Sequence, residues 1–399
     1  MYLCCVFFKM IVLQRMYSVK KWISCFACIL SLLFLAACAP PPDAPLELPS
    51  ARTEQPRQAA DAAANGADVV NPNQTYTYDM MRADAQELSE AYPGLISVSS
   101  IGQSVERREL TLIKLGKGEK KLLLLGAHHA REYITSTFLM ETADTYAAAY
   151  AQNAKAGTPD LLDSVTLYIV PMVNPDGVNL VQNGPDAAKN PQAVKAMRML
   201  KESYSEWKAN INGVDLNRQY PCHWEEKASN TDVPSSEMYK GTAAATEPEV
   251  QAVMRLCEEN DFAMAASFHT KGEVIYWADS GTEDAIAAAA PIAQSIAEVT
   301  GYALMDVSGD PAVYGAGFEN WFRQEYLRPG FCIELTPVGN GSLPHEDAQF
   351  ASLVWSRAKG LATVLMQQAL TLEEQTSPEE AAPSPEEEAL TLEEEEDCH

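Results

Sequence analysis

The chain has 399 residues, 47% of them apolar and 21% charged, and a formal net charge of −26. That is globular composition, which excludes wholesale disorder, and the length fits one large α/β domain with tails or two domains. Lys and Arg number 29 against 55 Asp and Glu, too few cations to neutralise a phosphate backbone, so nucleic acid is excluded as a partner.

Residues 1–37 carry Lys9, Arg15, Lys20 and Lys21 and no acid. The apolar run from Trp22 to Ala37 is short for a bilayer span and suits the core of a signal peptide. It ends Leu35-Ala36-Ala37-Cys38, which resembles the bacterial lipobox. The resemblance implies that Cys38 is lipidated, becomes the first mature residue and anchors the protein to the outside of the bacterial membrane. A plain membrane anchor with a chance cysteine is the alternative. Met16, shortly before Lys20 and Lys21, is also a suitable start. Residues 38–72 hold seven prolines and no apolar periodicity, and read as a semi-extended tether. At the other end, residues 371–399 carry twelve acids and no Lys or Arg, with LTLEE repeated from Leu370 and Leu390, and read as a solvated, disordered tail. Cys398 and His399 at its tip read as a frayed terminus. One domain remains, residues 73–370, with a charge near −15. Past the signal segment only Cys38, Cys222, Cys257, Cys332 and Cys398 remain, which is no disulfide framework. Cys257 and Cys332 read as buried apolar fillers.

Within the domain, short apolar runs at 121–126, 165–170, 262–268 and 330–335 predict buried strands. Helices are predicted over 134–151, 249–260, 284–299 and 350–368. Pro291 is expected to kink or split the third, and Thr246 with Glu249 to form a capping box for the second. Strands alternating with long helices predict an α/β domain, a mixed, mostly parallel twisted sheet flanked by helices. Chemistry in such sheets sits at the carboxyl ends of strands.

The residues obey that rule. His128, His129, Arg131 and Glu132 follow the first run, His269 follows the third, and Glu334 lies near the end of the fourth. Two imidazoles and a carboxylate can hold one Zn²⁺ and leave a position open, as hydrolysis requires. HxxE alone is a common chance match; three strand ends each delivering a donor give it weight.

His129-Ala130-Arg131-Glu132-Tyr133 resembles the HARE signature of the zinc carboxypeptidase family, the carboxypeptidase A/B-like metallopeptidases. Further blocks follow in the family's order: Val173-Asn174-Pro175-Asp176-Gly177, Trp207-Lys208-Ala209-Asn210, Gly213 to Arg218, Pro234 to Glu249, Ser267-Phe268-His269, and Trp321 thirteen residues before Glu334. The resemblance implies one Zn²⁺ per chain on His129, Glu132 and His269. It makes Glu334 the general base that takes a proton from the attacking water and later passes it to the leaving amine. Asn217 and Arg218 would grip the substrate's terminal carboxylate, and Arg131 would polarise the carbonyl or hold upstream groups.

Three departures bear on substrate. Lys208 stands where the family has its oxyanion arginine, a point charge without a bidentate fork, and the Trp-Lys-Ala-Asn form resembles bacterial members that act on cell-wall peptides. The family's capping tyrosine aligns near Ala312, with Tyr314 two residues away as a substitute. Glu319 aligns with the base of the specificity pocket, where a carboxylate implies a cationic end-group: Lys, Arg or the side-chain amine of diaminopimelate. Its alternative is a surface acid on a helix. His128 reads as a packing or hydrogen-bonding neighbour, His223 as a loop residue lining the cleft, His345 as exposed loop, and Asp176 and Asp215 as turn or supporting residues.

These readings together predict an exported, lipid-anchored, monomeric zinc metallocarboxypeptidase. Its substrate would be a peptide, a peptidoglycan stem peptide ending in diaminopimelate foremost. A carboxypeptidase B-like enzyme on general peptides and an inactive surface module that binds carboxylates are the rivals. Removal of acyl groups or side-chain glutamates fits the acidic pocket poorly.

Overall fold

The structure is a computed structural model that describes residues 68–339 and 341–372. The expected signal segment, lipidation at Cys38, the tether up to residue 67 and nearly all of the acidic tail lie outside the described residues. Among the described residues no helix is long and apolar enough to cross a membrane.

The sheet grows outward from four consecutive leucines. Strand β3 (Lys120–Leu125) is buried from Leu122 to Leu125, so both of its faces need covering. Each fully buried Leu contributes roughly 1.5–3 kcal/mol relative to exposure. Strands β1 (Ile96–Gln103), β2 (Glu109–Gly116), β4 (Val165–Val170), β5 (Phe262–His269), β6 (Val274–Tyr276), β7 (Ala303–Leu304) and β8 (Gly330–Glu334) complete it, in the order β1-β2-β4-β3-β5-β8-β6-β7. The four central strands β4, β3, β5 and β8 are parallel, and the flanks join them antiparallel through β2 and β6. The predicted mixed α/β sheet is therefore what forms.

Period-two alternation along β3 divides the core. Leu122 and Leu124 pack with helices α1 (Tyr78–Ala91), α2 (Ile134–Ala156) and, later in the chain, two helices named below; Leu123 and Leu125 face the other layer. Three short or mid-length helices follow α2: α3 (Pro175–Asn183), α4 (Pro191–Ala196) and α5 (Pro248–Glu258). Then come α6 (Thr282–Ala285), α7 (Ala289–Thr300), α8 (Pro311–Tyr314), α9 (Phe318–Tyr326), α10 (Ser356–Ala358) and α11 (Leu361–Ala369). Helices α7 and α11 join α1 and α2 on one face, and α5 and α9 cover the other.

Several boundaries differ from expectation. The helix predicted over 284–299 is two helices, α6 and α7, and Pro291 lies in the first turn of α7, where an absent N–H costs no intrahelical bond. The helix predicted over 350–368 opens with a π-helical turn, Ala351–Trp355, and is interrupted between α10 and α11 at Gly360. The capping box of Thr246 and Glu249 does not form. Glu247 is the N-cap of α5, with Pro248 at its first position, and Thr246 Oγ1 donates to Gln219 Oε1 at 3.0 Å. Glu249 is instead buried, accepting the Val105 N–H at 3.1 Å. The folded body also starts before residue 73: Val70 is buried, and the Val69 and Val70 amides donate to Asp144 Oδ2 at 2.7 and 2.9 Å. Helices α1, α3, α4, α8 and α9 and strands β1, β2, β6 and β7 were not predicted.

Candidate active site

Strand register places the first two groups. In β5 and β8, His269 pairs directly with Glu334, so the expected base and an expected metal donor stand side by side at the carboxyl edge. Strand β3 delivers the others. After Leu125 the chain turns at Ala127, whose φ of +49° is uncommon for a residue with a Cβ and is held by its N–H donating to Thr135 Oγ1 at 2.8 Å. His128 and His129 follow, and one 3-10 turn, Ala130–Glu132, swings Glu132 back towards them.

The segments that resemble family blocks hold this turn in place. Asn174 caps α3 by accepting the Gly177 N–H at 3.0 Å, and its amide group donates to the His128 and Ala209 carbonyls, both at 3.1 Å. Gly177 is required by close approach, because a Cβ there would stand 2.6 Å from Asn174 Oδ1 and 2.7 Å from the Ala209 carbonyl oxygen. Trp207 is buried, with its indole N–H donating to the Asn210 carbonyl at 3.1 Å, and the Asn210 amide group donates to Glu247 at 2.7 Å.

Three donors converge. His129 Nδ1 lies 3.0 Å from both Glu132 Oε2 and His269 Nδ1, and His269 Nδ1 lies 3.1 Å from Glu132 Oε2. All three side chains are buried. Ligands about 2.0–2.1 Å from a tetrahedral Zn²⁺ stand roughly 3.3 Å apart, so this buried N, N, O triangle fits one zinc ion with a side left open. Supporting contacts are present: Asp215 Oδ1 faces His129 Nε2 at 3.2 Å, and the Thr270 amide donates to Glu132 Oε2 at 3.2 Å. A second grouping, His269, Glu319 and Cys332, also brings its donors together. It shares His269, and burial followed by Glu319 pushes the Cys332 thiol up, which keeps the sulfur protonated and a poor ligand.

The electrostatics follow from burial and charge. Burial would raise the Glu132 carboxyl, but His129 and His269 outweigh it and hold the group well below its usual range. Burial would likewise raise Asp215, and Lys208, His129 and Arg218 bring it well below. Burial and then the neighbouring Glu132 charge push Glu334 up to about 8. A dication held by Glu132 reverses that second influence. Burial, then His269 and His129, push His128 well down, so it stays neutral; its Nε2 lies 3.0 Å from the Tyr220 hydroxyl, as a packed neighbour should.

A cleft of about 490 Å³ opens beside the triangle. It is lined by His129, His269, Glu334, Lys208, Asp215, Asn217, Arg218, Tyr314 and Glu319. Glu319 is 7% exposed, with its Oε2 accepting from Ser267 Oγ at 3.3 Å, so it is not a surface acid. Asn217 Oδ1 accepts the Phe318 amide at 2.8 Å, tying the Asn-Arg segment to the start of α9. Arg218 is partly committed: Nε donates to Asp215 Oδ2 at 3.2 Å, Nη1 to the Ala228 carbonyl at 2.6 Å, and Nη2 stands 3.1 Å from Met238 Sδ. Tyr314 ends α8 with its ring edge-on to His223, which stands behind it and does not itself line the cleft as expected.

Not every expected residue arrives. Arg131 is outside the lining of the cleft, with its Nη1 donating to the Glu206 carbonyl at 2.8 Å and Glu237 Oε2 at 2.9 Å. His345 is buried rather than exposed, with Nε2 at 2.7 Å from Thr336 Oγ1, because its loop folds over the end of β8. Asp176 binds Ser104, the Glu106 amide and Arg108, a structural role away from the cleft. Lys227 and Cys332 line the cleft and were missed. Cys332 precedes Glu334 by two in a strand, and that spacing alone puts both on one face. Lys227 sits in an aperiodic loop and carried no such signal.

Comparison with known proteins agrees with this geometry. Residues 81–346 match the family model for zinc carboxypeptidases. The chain is 37% identical over 304 residues to gamma-D-glutamyl-L-diamino acid endopeptidase 1 of Lysinibacillus sphaericus, covering 73% of this chain and 72% of that protein. It is 26% identical over 285 residues to carboxypeptidase B of Astacus astacus, covering 66% and 87%. In fold it is similar to bovine thrombin-activatable fibrinolysis inhibitor in complex with tick carboxypeptidase inhibitor, with a TM-score of 0.58 at 21% identity over 75% of this chain and 98% of that one. The chain therefore belongs to the zinc carboxypeptidase family and is a zinc metallopeptidase, and the residues expected as zinc ligands, base and clamp lie in or beside one cleft.

Proposed function

We propose that the enzyme hydrolyses the amide before a terminal residue that carries both a free carboxylate and a side-chain amine, with a γ-D-glutamyl-diaminopimelate bond as the preferred target. The observation that carries this reading is Glu319, a buried carboxylate lining the same cleft as Arg218. A carboxylate there rewards a cationic end-group and leaves an apolar one opposite a desolvated charge. The relative from Lysinibacillus sphaericus, named for the bond between a γ-D-glutamyl group and an L-diamino acid, supports the choice.

His129, Glu132 and His269 would hold zinc, which when bound would supply Lewis acidity towards the scissile carbonyl and lower the pKa of water. Asp215 Oδ1, 3.2 Å from His129 Nε2, would orient the His129 ring. Glu334 takes the proton of the attacking water at its carboxylate and returns it to the leaving nitrogen. Its Oε2 is buried without a hydrogen-bond partner among the described residues, which leaves that oxygen for the reaction. Lys208, on the cleft wall, stabilises the developing oxyanion; with Arg131 bound to Glu237, this duty falls to the lysine. Asn217 and Arg218 receive the terminal carboxylate, Glu319 the side-chain ammonium, and Tyr314 covers the bound end-group.

We further propose, from the sequence alone, that the protein is exported and held to the bacterial membrane by lipid on Cys38, and that it acts as a monomer. Incubating the purified enzyme with γ-D-glutamyl-diaminopimelate peptides, and with peptides ending in Lys, Arg or Phe, tests the substrate. The diaminopimelate peptide should be cleaved fastest, whereas a preference for Phe would sink both the Glu319 argument and the cell-wall choice.

A further inference from the structure

Lys227 is a cation in the cleft that the reaction above leaves unused. Its backbone is fixed on several sides. Its N–H donates to the His223 carbonyl at 3.1 Å, and its own carbonyl accepts from Lys240 Nζ at 3.0 Å. The next residue, Ala228, donates its N–H to the Ala312 carbonyl at 3.1 Å and accepts from Arg218 Nη1. The ammonium reaches the cleft wall at α8 and donates to the Val313 carbonyl at 2.5 Å. Among the described residues it has no carboxylate partner.

Around Lys227 the cations outnumber the carboxylates. Burial and then Arg218 push its amine down to about 8, with Lys208 acting the same way and Asp215 and Glu319 opposing. Asp215 already serves Arg218 and His129. Arg218, in turn, spends Nε on Asp215 and Nη1 on a carbonyl, and its Nη2 rests against a sulfur, a weak acceptor. Three cations, Lys227, Arg218 and Lys208, around two carboxylates, Asp215 and Glu319, favour an incoming anion.

We propose that Lys227 is a second carboxylate-binding residue of the cleft, which closes with Arg218 on an anion of the bound end-group. This rests on the reading that Arg218 faces substrate carboxylate. The anion is either the terminal carboxylate or, in diaminopimelate, the second carboxylate at the far end.

Calorimetric titration of the zinc-loaded protein separates these sources with three ligands: N-acetylcadaverine with no carboxylate, N-acetyl-lysine with one, and diaminopimelate with two. Wild type should bind N-acetyl-lysine tighter than N-acetylcadaverine. Lys227→Gln should lose about tenfold or more in affinity for carboxylate ligands, the size of a lost charged hydrogen bond, keep its affinity for N-acetylcadaverine, and unfold at the wild-type temperature. Lys227→Arg should retain most of the affinity. Loss with both carboxylate ligands assigns the terminal carboxylate; loss with diaminopimelate alone assigns the far one. If Lys227→Gln binds every ligand as wild type does, or weakens N-acetylcadaverine equally, the proposal is overturned while the Arg218 reading stands. If wild type does not distinguish N-acetyl-lysine from N-acetylcadaverine, the Arg218 reading falls and takes this proposal with it.

Discussion

The two sides of the cleft are built from different materials. On the zinc side, His269 and Glu334 are register partners in neighbouring parallel strands, and His129 and Glu132 hang from a third strand through one turn. Their positions are set by backbone ladders and by a sheet buried on both faces. On the end-group side, Asn217, Arg218, Lys227 and Tyr314 sit on loops and turns, each anchored by a few side-chain-to-carbonyl or amide bonds. The first arrangement fixes atoms to a fraction of an ångström and suits chemistry shared across a family. The second can change residue by residue without disturbing the sheet, and that is where substrate choice is expected to vary. Glu319 belongs to both sides: it rides on α9, packed against the sheet, yet lines the cleft.

Removing the base should break the comparison most severely. Glu334→Gln should lower kcat about 10²–10⁴-fold while zinc content and unfolding temperature stay near wild type. Equal rates in variant and wild type would reduce the rigid side to a binding platform. Next in size, Asp215→Asn should weaken zinc affinity about 10–100-fold, the usual cost of losing a supporting partner of a metal-bound histidine, as read by competition with a chelator. An unchanged affinity would remove Asp215 from the metal side and leave it only as the partner of Arg218.

The smallest effect concerns scaffold rather than site. Glu249, buried beneath the Asn210 loop, is pushed up from 4.5 to about 8 by burial and then by Asp176 and Glu247, against opposing backbone hydrogen bonds. The folded state therefore binds this proton more tightly than the unfolded state does. The stability it contributes is fully present below about pH 4.5 and is lost as pH rises through 8. Glu249→Gln should remove that loss and raise the unfolding temperature by a few degrees at pH 8.5, with little gain at pH 4.5. A variant that gains equally at both pH values would show that the proton on Glu249 is not the cause.

Much of the zinc side was legible in the sequence, because apolar runs mark buried strands and reactive residues follow them directly. The order of the sheet was not. Strand β1 is a mostly exposed edge strand, the apolar run of β2 is broken by Thr111 and Lys114, and β6 and β7 are three and two residues long, too short for a periodic signal. The end-group side was legible only where a family block supplied the alignment, as for Arg218 and Glu319. The pairing of Arg131 with Glu237 was not legible, because the two lie 106 positions apart in sequence and no local pattern announces it. Lys227 was overlooked for the same reason: its role depends on Arg218 and α8 being brought beside it by tertiary packing.

The central claim is that a buried carboxylate in the cleft selects a cationic end-group. It is tested most directly by comparing kcat/KM for otherwise identical peptides ending in Lys and in Phe, in wild type and in Glu319→Gln. Wild type should favour Lys, and the variant should lose that preference by about 10–100-fold, as a charged hydrogen bond implies, with kcat for the Phe peptide kept or raised. A wild-type preference for Phe, or a Lys-to-Phe ratio that Glu319→Gln leaves unchanged, would contradict the account.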